Sequence, residues 1–544
     1  MLGRSEGART TMNQMTGLPV SRRVMNLAGF LAQTARRLPD HLAIAWGDRR
    51  WSWREFEGRC AALAASLTAH GIGKGDRILV HARNGNELLE TMFAAFRLGA
   101  VWVPTNVRLV PEEVAFLAEA SGARAFLCQS VFPGHAAAVA AVLPDLRLLA
   151  SIGEAGFGQA THEGLIAAGQ GRPSPVATVE YDEPCWFFFT SGTTGRPKAA
   201  VLTHGQMGFV ITNHLADLLP GTTEADASLV VAPLSHGAGI HWLTQVARGA
   251  ASILMPGERF DAAEAWRLVE AHRVSNMFTV PTILKMLVEH PAVDAHDHAS
   301  LRHVIYAGAP MYREDQKHAL RKLGRVLVQY FGLGEVTGNI TVLPPALHEP
   351  DDGPHARSGT CGYARTGMEI EIQDEQGGAL PPGAQGEICV SGPAVFAGYW
   401  NNPEANAKAF RNGWFRTGDL GHMDAEGFLT ITGRASDMYI SGGSNVYPRE
   451  VEEVILQYPG IAEVAVVGVP DRHWGEIGIA VIVPRAGAAV DEAGLLAWLD
   501  GRVARYKLPR RVFVWEALPR SGYGKITKAM VRAEMEARGL LPPA

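Results

Sequence analysis

Short apolar runs alternate with segments of helical spacing through much of this chain, and that alternation limits the folds open to it. Trp53–His70 carries apolar residues at helical spacing and is followed by a glycine, which favours a helix end. Residues 76–82 are typical of a buried strand. Asn86 is placed to cap a helix that reaches Leu98, and residues 100–103 follow as a second strand. Strand, helix and strand at this spacing predict βαβ units, a parallel sheet and an α/β fold.

Two later changes of pattern predict further units. The same alternation returns between about 228 and 311, where each apolar run ends at Gly, Pro or Ser. Residues 359–433 instead favour short strands joined by turns, which indicates a β-rich subdomain. From residue 434 the pattern is that of a small α/β unit. Its helices are expected at 449–457, 491–505 and 526–537.

Composition excludes several classes of function. The 544 residues include 50 Lys+Arg and 55 Asp+Glu, a net charge of −5, so no basic excess is available to bind nucleic acid. The 5 cysteines form no CxxC pair, which argues against a disulfide framework or zinc ribbon and favours a reducing cytoplasm. No apolar run reaches the roughly 18 residues of a membrane span, and Met1–Val24 lacks the apolar core of a secretory signal. We expect a cytoplasmic protein without a membrane span.

The most specific segment is Phe187–Ala199, which reads FFFTSGTTGRPKA. An apolar strand runs into a loop of hydroxyl residues and glycines, followed by a lysine. Its members are Thr190, Ser191, Gly192, Thr193, Thr194, Gly195 and Lys198. Such a loop can direct backbone N–H groups and hydroxyls at phosphate oxygens, with a cation beside them. It is not a Walker A loop, because Pro197 stands where that motif has its second glycine.

Further motifs follow in order along the chain. They are YFGLGE at 330–335, TGD at 417–419, the segment from GR at 433 to SGGSNVYPRE ending at 450, and PRSGYGKITKAMVR at 519–532. Together with the hydroxyl-rich loop they resemble the adenylate-forming superfamily, which includes acyl-CoA synthetases, aryl-CoA ligases, luciferases and adenylation domains. The likeness covers roughly residues 28–538.

This resemblance implies an architecture. Residues 28–433 would form a large AMP-binding N-terminal region of stacked α/β subdomains plus a β-rich subdomain. Residues 434–544 would form a small mobile α/β domain that carries the catalytic lysine, and residues 1–27 a flexible tail. The active site would lie between the large region and the small domain.

The resemblance also implies roles for individual residues. Catalytic roles fall on Lys525, His236, Glu335 and Arg434. ATP or AMP contacts fall on Thr190, Ser191, Gly192, Thr193, Thr194, Lys198, Gly308, Ala309, Pro310, Gln329, Tyr330, Phe331, Gly332, Gly334, Glu335, Asp419, Arg434 and Lys525. Thr190 and Glu335 would hold Mg²⁺, Gly442 and Gly443 would border CoA, and Ser436 would be the hinge.

These roles suit the residue types. A carboxylate such as Glu335 is a hard oxygen ligand for Mg²⁺. Phe331 or Tyr330 offers a flat face for adenine. Asp419 can accept both ribose hydroxyls. Lys525 follows the flexible sequence SGYG, from which a cation can reach charge that develops on the α-phosphate.

Two positions depart from the family pattern. Gly334 stands where the family usually has Thr, so a hydroxyl near the α-phosphate is missing. Ser436 stands where Asp or Lys is common at the hinge. Both departures affect the AMP contacts or the hinge, and neither removes a group on which the chemistry depends.

The implied activity is that of an ATP-dependent carboxylic acid:CoA ligase, which forms an acyl-adenylate and then a thioester. Its cofactors would be ATP, Mg²⁺ and coenzyme A. A free-standing adenylation enzyme that loads a separate carrier protein is the main alternative. A luciferase-like oxidation and nucleotide binding without catalysis also remain open, as does a homodimer.

The kind of acid can be predicted from the residues that would surround it. The resemblance places three segments there, 236–242, 278–281 and 306–310. They are mainly apolar, with Trp242, Phe278 and Tyr306, and contain no arginine that looks buried. His241 reads as a packing residue that can also line the pocket. We therefore expect a hydrophobic monocarboxylic acid, fatty or aromatic, rather than a diacid or an amino acid.

Overall fold

Two mainly parallel seven-stranded sheets organise the described part of the large N-terminal region. The computed structural model describes residues 23–190, 197–257, 259–309, 311–353, 357, 359–434, 436–441, 444–520 and 526–541. In spatial order, the strands of the first sheet are Lys198–Thr203, Pro184–Thr190, Val101–Pro104, Arg77–His81, Ala125–Gln129, Leu148–Ile152 and Ala160–Thr161. Those of the second are Leu327–Gln329, His303–Tyr306, Asn276–Thr279, Ala227–Val230, Ala251–Leu254, Leu42–Trp46 and Arg49–Ser52. The expected parallel α/β sheets are confirmed.

A third sheet is antiparallel and confirms the expected β-rich piece. Its strands are Thr341–Val342, Thr360–Ala364, Phe428–Arg434, Trp414–Met423, Gly386–Ser391 and Glu369–Gln373, with Phe410–Arg411 beside Trp414–Met423. Long strands here bring distant sequence positions into register. Asp419 lies directly opposite Arg434 across the pair formed by Trp414–Met423 and Phe428–Arg434.

The small C-terminal domain is built on a fourth sheet. Its strands are Ser444–Val446, Tyr439–Ser441, Gly475–Pro484, Ile461–Asp471 and Arg511–Val514. Its helices are Pro448–Ile455, Glu492–Leu499 and Lys528–Ala537. A short pair, Arg23–Val24 with Val179–Glu180, completes the described strands.

Helices cover the faces of the sheets in the large region. They are Ala28–Arg37, Trp53–Ala69, Asn86–Leu98, Pro111–Ser121, Pro133–Val142, His162–Gly169, His204–Asp217, Gly237–Arg248, Ala262–His272, Pro281–Glu289, Arg313–Leu323 and Pro403–Ala409. Short 3₁₀ helices lie at Pro291–Asp294, Gly334–Val336, Pro345–Leu347 and Arg505–Lys507.

One apolar core joins the first three sheets. The helix Asn86–Leu98 is almost entirely buried in it, and Phe93 makes edge-to-face contacts with Phe56 and Trp242. Such contacts add to the burial of large rings. The core therefore fixes the two parallel sheets relative to the β-rich sheet, and the candidate site depends on this relation.

Several helix ends differ from expectation. Gly85 occupies the N-cap before Asn86–Leu98, and Asn86 is already helical, where its side-chain amide donates to Glu90. The helix expected at 491–505 ends at Leu499, with Asp491 as its cap. Buried hydrogen bonding thus takes Asn86 away from the capping role that its residue type suggested.

Two further expectations can be compared with the fold. Within the described residues, no helix combines the length and apolar character needed to cross a membrane. All five cysteines are buried and unpaired.

Candidate active site

Thr190 and Glu335 meet at the centre of the site. Thr190 is the last residue of the strand Pro184–Thr190, and Glu335 lies in a 3₁₀ turn that follows the strand Leu327–Gln329 by a few residues. The Thr190 hydroxyl donates to Glu335 Oε1 at 2.9 Å. Glu335 is only 6% exposed, and its carbonyl accepts from the Phe396 backbone N–H at 2.8 Å. The fold thus holds the acidic motif against the start of the hydroxyl-rich loop.

Tyr399 is a second donor to the same carboxylate. Its hydroxyl donates to Glu335 Oε1 at 2.9 Å, and Lys198 Nζ lies 5.2 Å from the centre of its ring. Both hydroxyls therefore donate to Oε1, and no donor among the described residues reaches Oε2. The Glu335 carboxylate thus has one oxygen available for a hard cation such as Mg²⁺.

Gly334 is explained by its neighbours. A Cβ at this position would lie 2.7 Å from the Phe188 ring and 3.0 Å from the Thr190 methyl. The Phe188 ring also packs edge-on against His236, with ring centres 5.5 Å apart. An aromatic side chain thus fills the space into which the threonine usual at this position would extend.

Asp419 and Arg434 form the second polar pair of the site. Arg434 Nε donates to Asp419 Oδ1 at 2.8 Å, and Asp419 is 5% exposed whereas the Arg434 side chain is about half exposed. Charge-assisted bonds of this kind are short and strong. The structure brings together these two residues, both of which the resemblance assigns to ATP or AMP contacts.

The two aromatic candidates for adenine have different surroundings. Tyr330 is 8% exposed and lies against His241, with 3.3 Å between its hydroxyl and His241 Nε2. Burial raises its pKa, so the hydroxyl stays protonated. Phe331 is half-buried and is the better placed of the two to stack on a base.

The remaining described residues assigned to the nucleotide lie at the end of a strand or in the connection that follows one. Gly308 and Ala309 are exposed after His303–Tyr306. Gln329 accepts from the Tyr306 hydroxyl at 3.1 Å. A Cβ on Gly332 would lie 2.3 Å from Gly338, so only glycine fits there.

Several sequence-based assignments lie outside the described residues. They are Ser191, Gly192, Thr193, Thr194, Pro310, Gly442, Gly443 and Lys525. Ser436 is described, and its hydroxyl makes a 3.4 Å contact with Asp437 at the exposed start of the small domain.

The acid-pocket segments are less uniform than expected. His236 is half-buried at the start of Gly237–Arg248, and its Nδ1 lies 2.8 Å from the Ser235 hydroxyl. Phe278 is half-buried, but Trp242 and Tyr306 lie in the core at 2% and 1% exposed. Trp242 packs on Phe56 and Phe93, and Tyr306 packs on His348, so these two rings belong to the core.

A buried cation near these segments was missed by sequence reasoning. Arg365 is 1% exposed and donates to His214 Nδ1 at 3.2 Å, with Asp217 3.7 Å away. His214 faces His241 across 4.6 Å between ring centres, and His241 stacks on Phe278 at 4.4 Å. The three segments themselves contain no arginine, as expected. The buried Arg365 instead reaches them through His214, which faces His241.

Burial keeps the paired histidines neutral. It lowers the pKa of His241 to about 3, with the Arg365 charge acting in the same direction, and it lowers the pKa of His214 well below its ordinary value. Burial also lowers the pKa of Arg365 to about 10, so the guanidinium remains charged at neutral pH. One positive charge and two neutral imidazoles therefore lie buried beside Phe278.

Another group of possible metal ligands lies apart from this site. Glu90, His162 and Glu163 have ligand atoms within 4.8 Å of one another. Arg59 already pairs with both carboxylates at 2.5 Å. The guanidinium thus supplies the cation, and the group is structural.

Comparisons with known proteins agree with this geometry. Residues 31–400 match the family model described as AMP-binding enzyme, and residues 450–525 match the AMP-binding enzyme C-terminal domain. The chain is 38% identical to a feruloyl-CoA synthase of Amycolatopsis sp, over 94% of this chain and 99% of the relative. It is 34% identical to an indoleacetate–CoA ligase of Aromatoleum aromaticum, over 93% and 98%. In fold it is similar to an o-succinylbenzoate-CoA synthetase of Bacillus subtilis in complex with ATP and magnesium ion. That structure is 30% identical, with a TM-score of 0.80 over 92% of this chain and 99% of the other.

Proposed function

Because the chain belongs to the AMP-binding enzyme family, we propose that it joins a hydrophobic aryl or fatty monocarboxylic acid to coenzyme A in an ATP-dependent reaction. The observation that carries the proposal is the 2.9 Å bond from Thr190 to Glu335. It joins the first hydroxyl of the phosphate loop to a buried carboxylate, an arrangement suited to Mg²⁺–ATP. The likeness to acid:CoA ligases over nearly the whole chain favours ligation over hydrolysis.

In the first half-reaction a carboxylate oxygen of the acid attacks the α-phosphorus of ATP, and pyrophosphate leaves. Phe331 stacks on adenine, Asp419 accepts the ribose hydroxyls, and Arg434 keeps the Asp419 carboxylate oriented. Lys198 and Lys525 bring positive charge to the phosphates. Orienting both reactants in this way supplies much of the rate enhancement.

Glu335 and Thr190 are the residues that would hold Mg²⁺, and the fit rests on the Glu335 oxygen that both hydroxyl donors leave available. When bound, the ion would neutralise charge on the triphosphate. The carboxylate keeps its own negative charge because its two partners are neutral hydroxyls.

In the second half-reaction the thiol of coenzyme A attacks the acyl carbonyl and AMP leaves. We propose that the small domain rotates between the half-reactions about residues 434–437, so that Gly442 and Gly443 replace Lys525 at the reaction centre. His236 borders the acyl carbonyl and the path of the thiol. This assigns separate residues to each half-reaction.

Within the proposed acid class we favour an aromatic acid. The half-buried Phe278 and Phe188 offer flat faces near His236, and the Phe278 ring is itself stacked on His241. Offset or edge contacts between aromatic rings add roughly 0.5–1.5 kcal/mol beyond the burial of their area. Two relatives are named for ferulate and indoleacetate, which are aromatic acids, and this supports the same choice.

Pyrophosphate release and CoA ester formation, measured with a panel of acids, test the proposal. The panel holds ferulate, indoleacetate, octanoate, palmitate and malonate, and a parallel arm replaces CoA with a phosphopantetheinylated carrier protein. We expect thioester formation with CoA and the highest kcat/KM for an aromatic acid. Pyrophosphate release without CoA ester, together with loading of the carrier, would overturn the choice of acceptor.

Two further parts of the proposal concern assembly and setting. We propose a homodimer in the cytoplasm, and static light scattering of the purified protein tests the assembly. The five buried, unpaired cysteines are compatible with a reducing compartment.

A further inference from the structure

Tyr399 contacts both charged groups on the phosphate side of the site. Its hydroxyl donates to Glu335 Oε1 at 2.9 Å, and its ring lies under Lys198 Nζ at 5.2 Å. The residue belongs neither to the hydroxyl-rich loop nor to the acidic motif. Its position must therefore come from the segment that carries it.

That segment is fixed to the strand that begins at Lys198. The Val201 backbone N–H donates to the Gly398 carbonyl at 2.9 Å, and the Trp400 N–H donates to the Ala199 carbonyl at 2.9 Å. Tyr399 thus lies on an added edge of the first sheet, opposite Ala200.

The side chain of Asn406 hydrogen-bonds to both backbone groups of Tyr399. Its Oδ1 accepts from the Tyr399 N–H at 2.6 Å, and its Nδ2 donates to the Tyr399 carbonyl at 3.0 Å. Gly398, at φ 114°, allows the close approach, since a Cβ there would lie 3.0 Å from Asn406 Oδ1. Four hydrogen bonds therefore fix the backbone segment that carries the phenol.

We propose that Tyr399 is a positioning residue that orients Glu335 toward the metal through its hydroxyl and holds Lys198 at the phosphates through its ring. The inference rests on the proposed function, which places Mg²⁺–ATP at Glu335. Two donors on Oε1 leave the carboxylate one direction in which to bind a cation, and partners of this kind set both ligand orientation and metal affinity.

The phenol suits this role because it is a neutral donor. Its hydroxyl fixes Glu335 Oε1 without neutralising the carboxylate. The cation–π contact holds Lys198 without neutralising it, which a carboxylate in the same place would do.

Two substitutions separate the two contacts. Tyr399→Phe removes the hydroxyl and keeps the ring, whereas Tyr399→Leu removes both. Tyr363→Phe is the matched control, because Tyr363 is 38% exposed and packs on Phe428 away from this site. Glu335→Gln serves as the reference for loss of the metal ligand itself.

The readout is binding of Mn²⁺ to the full-length protein with α,β-methylene-ATP, followed by EPR, beside binding of the analogue without metal. For Tyr399→Phe we expect Mn²⁺ affinity to fall about tenfold, with metal-free binding of the analogue and thermal unfolding unchanged. Tyr399→Leu should also weaken metal-free binding, because Lys198 loses its support. Tyr363→Phe should match the wild type.

The outcomes separate this inference from the proposed function. Wild-type Mn²⁺ affinity in Tyr399→Phe, with weakened affinity in Glu335→Gln, would overturn the role of Tyr399 alone. Wild-type affinity in both would overturn the metal assignment at Glu335 and the inference with it. An equal loss of metal-free and metal-dependent binding in Tyr399→Phe would show a general structural role and would also overturn the inference.

Discussion

Two carboxylates of the site are buried to nearly the same extent but have opposite kinds of partner. Glu335 is 6% exposed and accepts from two neutral hydroxyls, whereas Asp419 is 5% exposed and accepts from the Arg434 guanidinium. A buried carboxylate is costly unless it is hydrogen-bonded or paired. Both solutions satisfy that requirement, yet only the second neutralises the charge.

The difference follows from what each carboxylate is proposed to bind. A cation is attracted to a carboxylate whose charge is intact, so the donors at Glu335 must be neutral. Ribose hydroxyls are neutral donors and need acceptor oxygens rather than a net charge, so Asp419 can share its charge with Arg434 and keep a fixed direction. The partner of a buried acid is therefore a guide to its ligand.

The substitution with the largest expected effect removes the charge of Glu335 and keeps its shape. Glu335→Gln should lower the rate of pyrophosphate release by about 10²- to 10³-fold, comparable to loss of one charge-stabilising group. A titration of Mg²⁺ in the pyrophosphate assay measures it. Glu387→Gln is the control, because Glu387 pairs with Arg416. A rate near wild type at modest Mg²⁺ would break the comparison.

The next effect should appear at Asp419, and in a different parameter. Asp419→Asn should raise the KM for ATP on the order of 10- to 100-fold, as expected for hydrogen bonds to a charged acceptor. Its Mg²⁺ dependence should stay that of the wild type. With 2′,3′-dideoxy-ATP the wild type and the variant should become alike, and a persistent difference would contradict the ribose assignment.

A smaller effect tests the space around Glu335. Gly334→Thr places a side chain against the Phe188 ring and should cost about tenfold in adenylation, the scale of moderate overpacking. Phe188→Leu in the same chain should restore most of the rate, and Phe188→Leu alone is the control. If the double variant is no faster than Gly334→Thr, the Phe188–Gly334 pairing does not explain this glycine.

The last prediction concerns the free energy of unfolding rather than a rate, and it has no effect at neutral pH. It rests on the buried imidazole of His241. Because the folded pKa of His241 is about 3, below the ordinary value of 6.5, its contribution to stability is complete above pH 6.5 and is lost as pH falls toward 3. At pH 5 the loss is about 2 kcal/mol. His241→Gln should lack this loss.

Urea unfolding of this variant at pH 7.5 and pH 5 measures the difference. His473→Gln, at an exposed position in the small domain, is the control and should keep the pH dependence of the wild type. An unchanged dependence in His241→Gln would assign the acid sensitivity to other groups.

Periodicity and motif order predicted the fold well where local sequence determines structure. The parallel sheets, the β-rich piece and the helix from Trp53 were expected, because their apolar spacing is local. Asn86 misled as a cap because its amide is held by Glu90 inside the core. The contact joins residues four apart in one helix, so what the spacing did not reveal is that both side chains are fully buried.

The candidate site was predictable as far as its motifs reach. Thr190 and Glu335, which the resemblance assigned to one metal, lie in contact, and Asp419 pairs with Arg434, while the roles of these four residues stay predictions. Tyr399 was missed because its partner lies 64 residues away and its own segment carries no chemical pattern. Arg365 was missed because arginines are rarely buried, and its partner Asp217 lies on a distant helix.

Arg434 also ends the last strand of the large region, and its carbonyl accepts from the N–H groups of Asp437 and Met438 at 3.0 and 3.2 Å. The residue that orients the carboxylate proposed to bind ribose is thus the residue from which the linker to the small domain departs. Under the proposed rotation about residues 434–437, occupation of the nucleotide site and the position of the small domain would be coupled through the Arg434 side chain and backbone. Nucleotide analogues without the ribose hydroxyls would then fill the site with less effect on the position of the small domain.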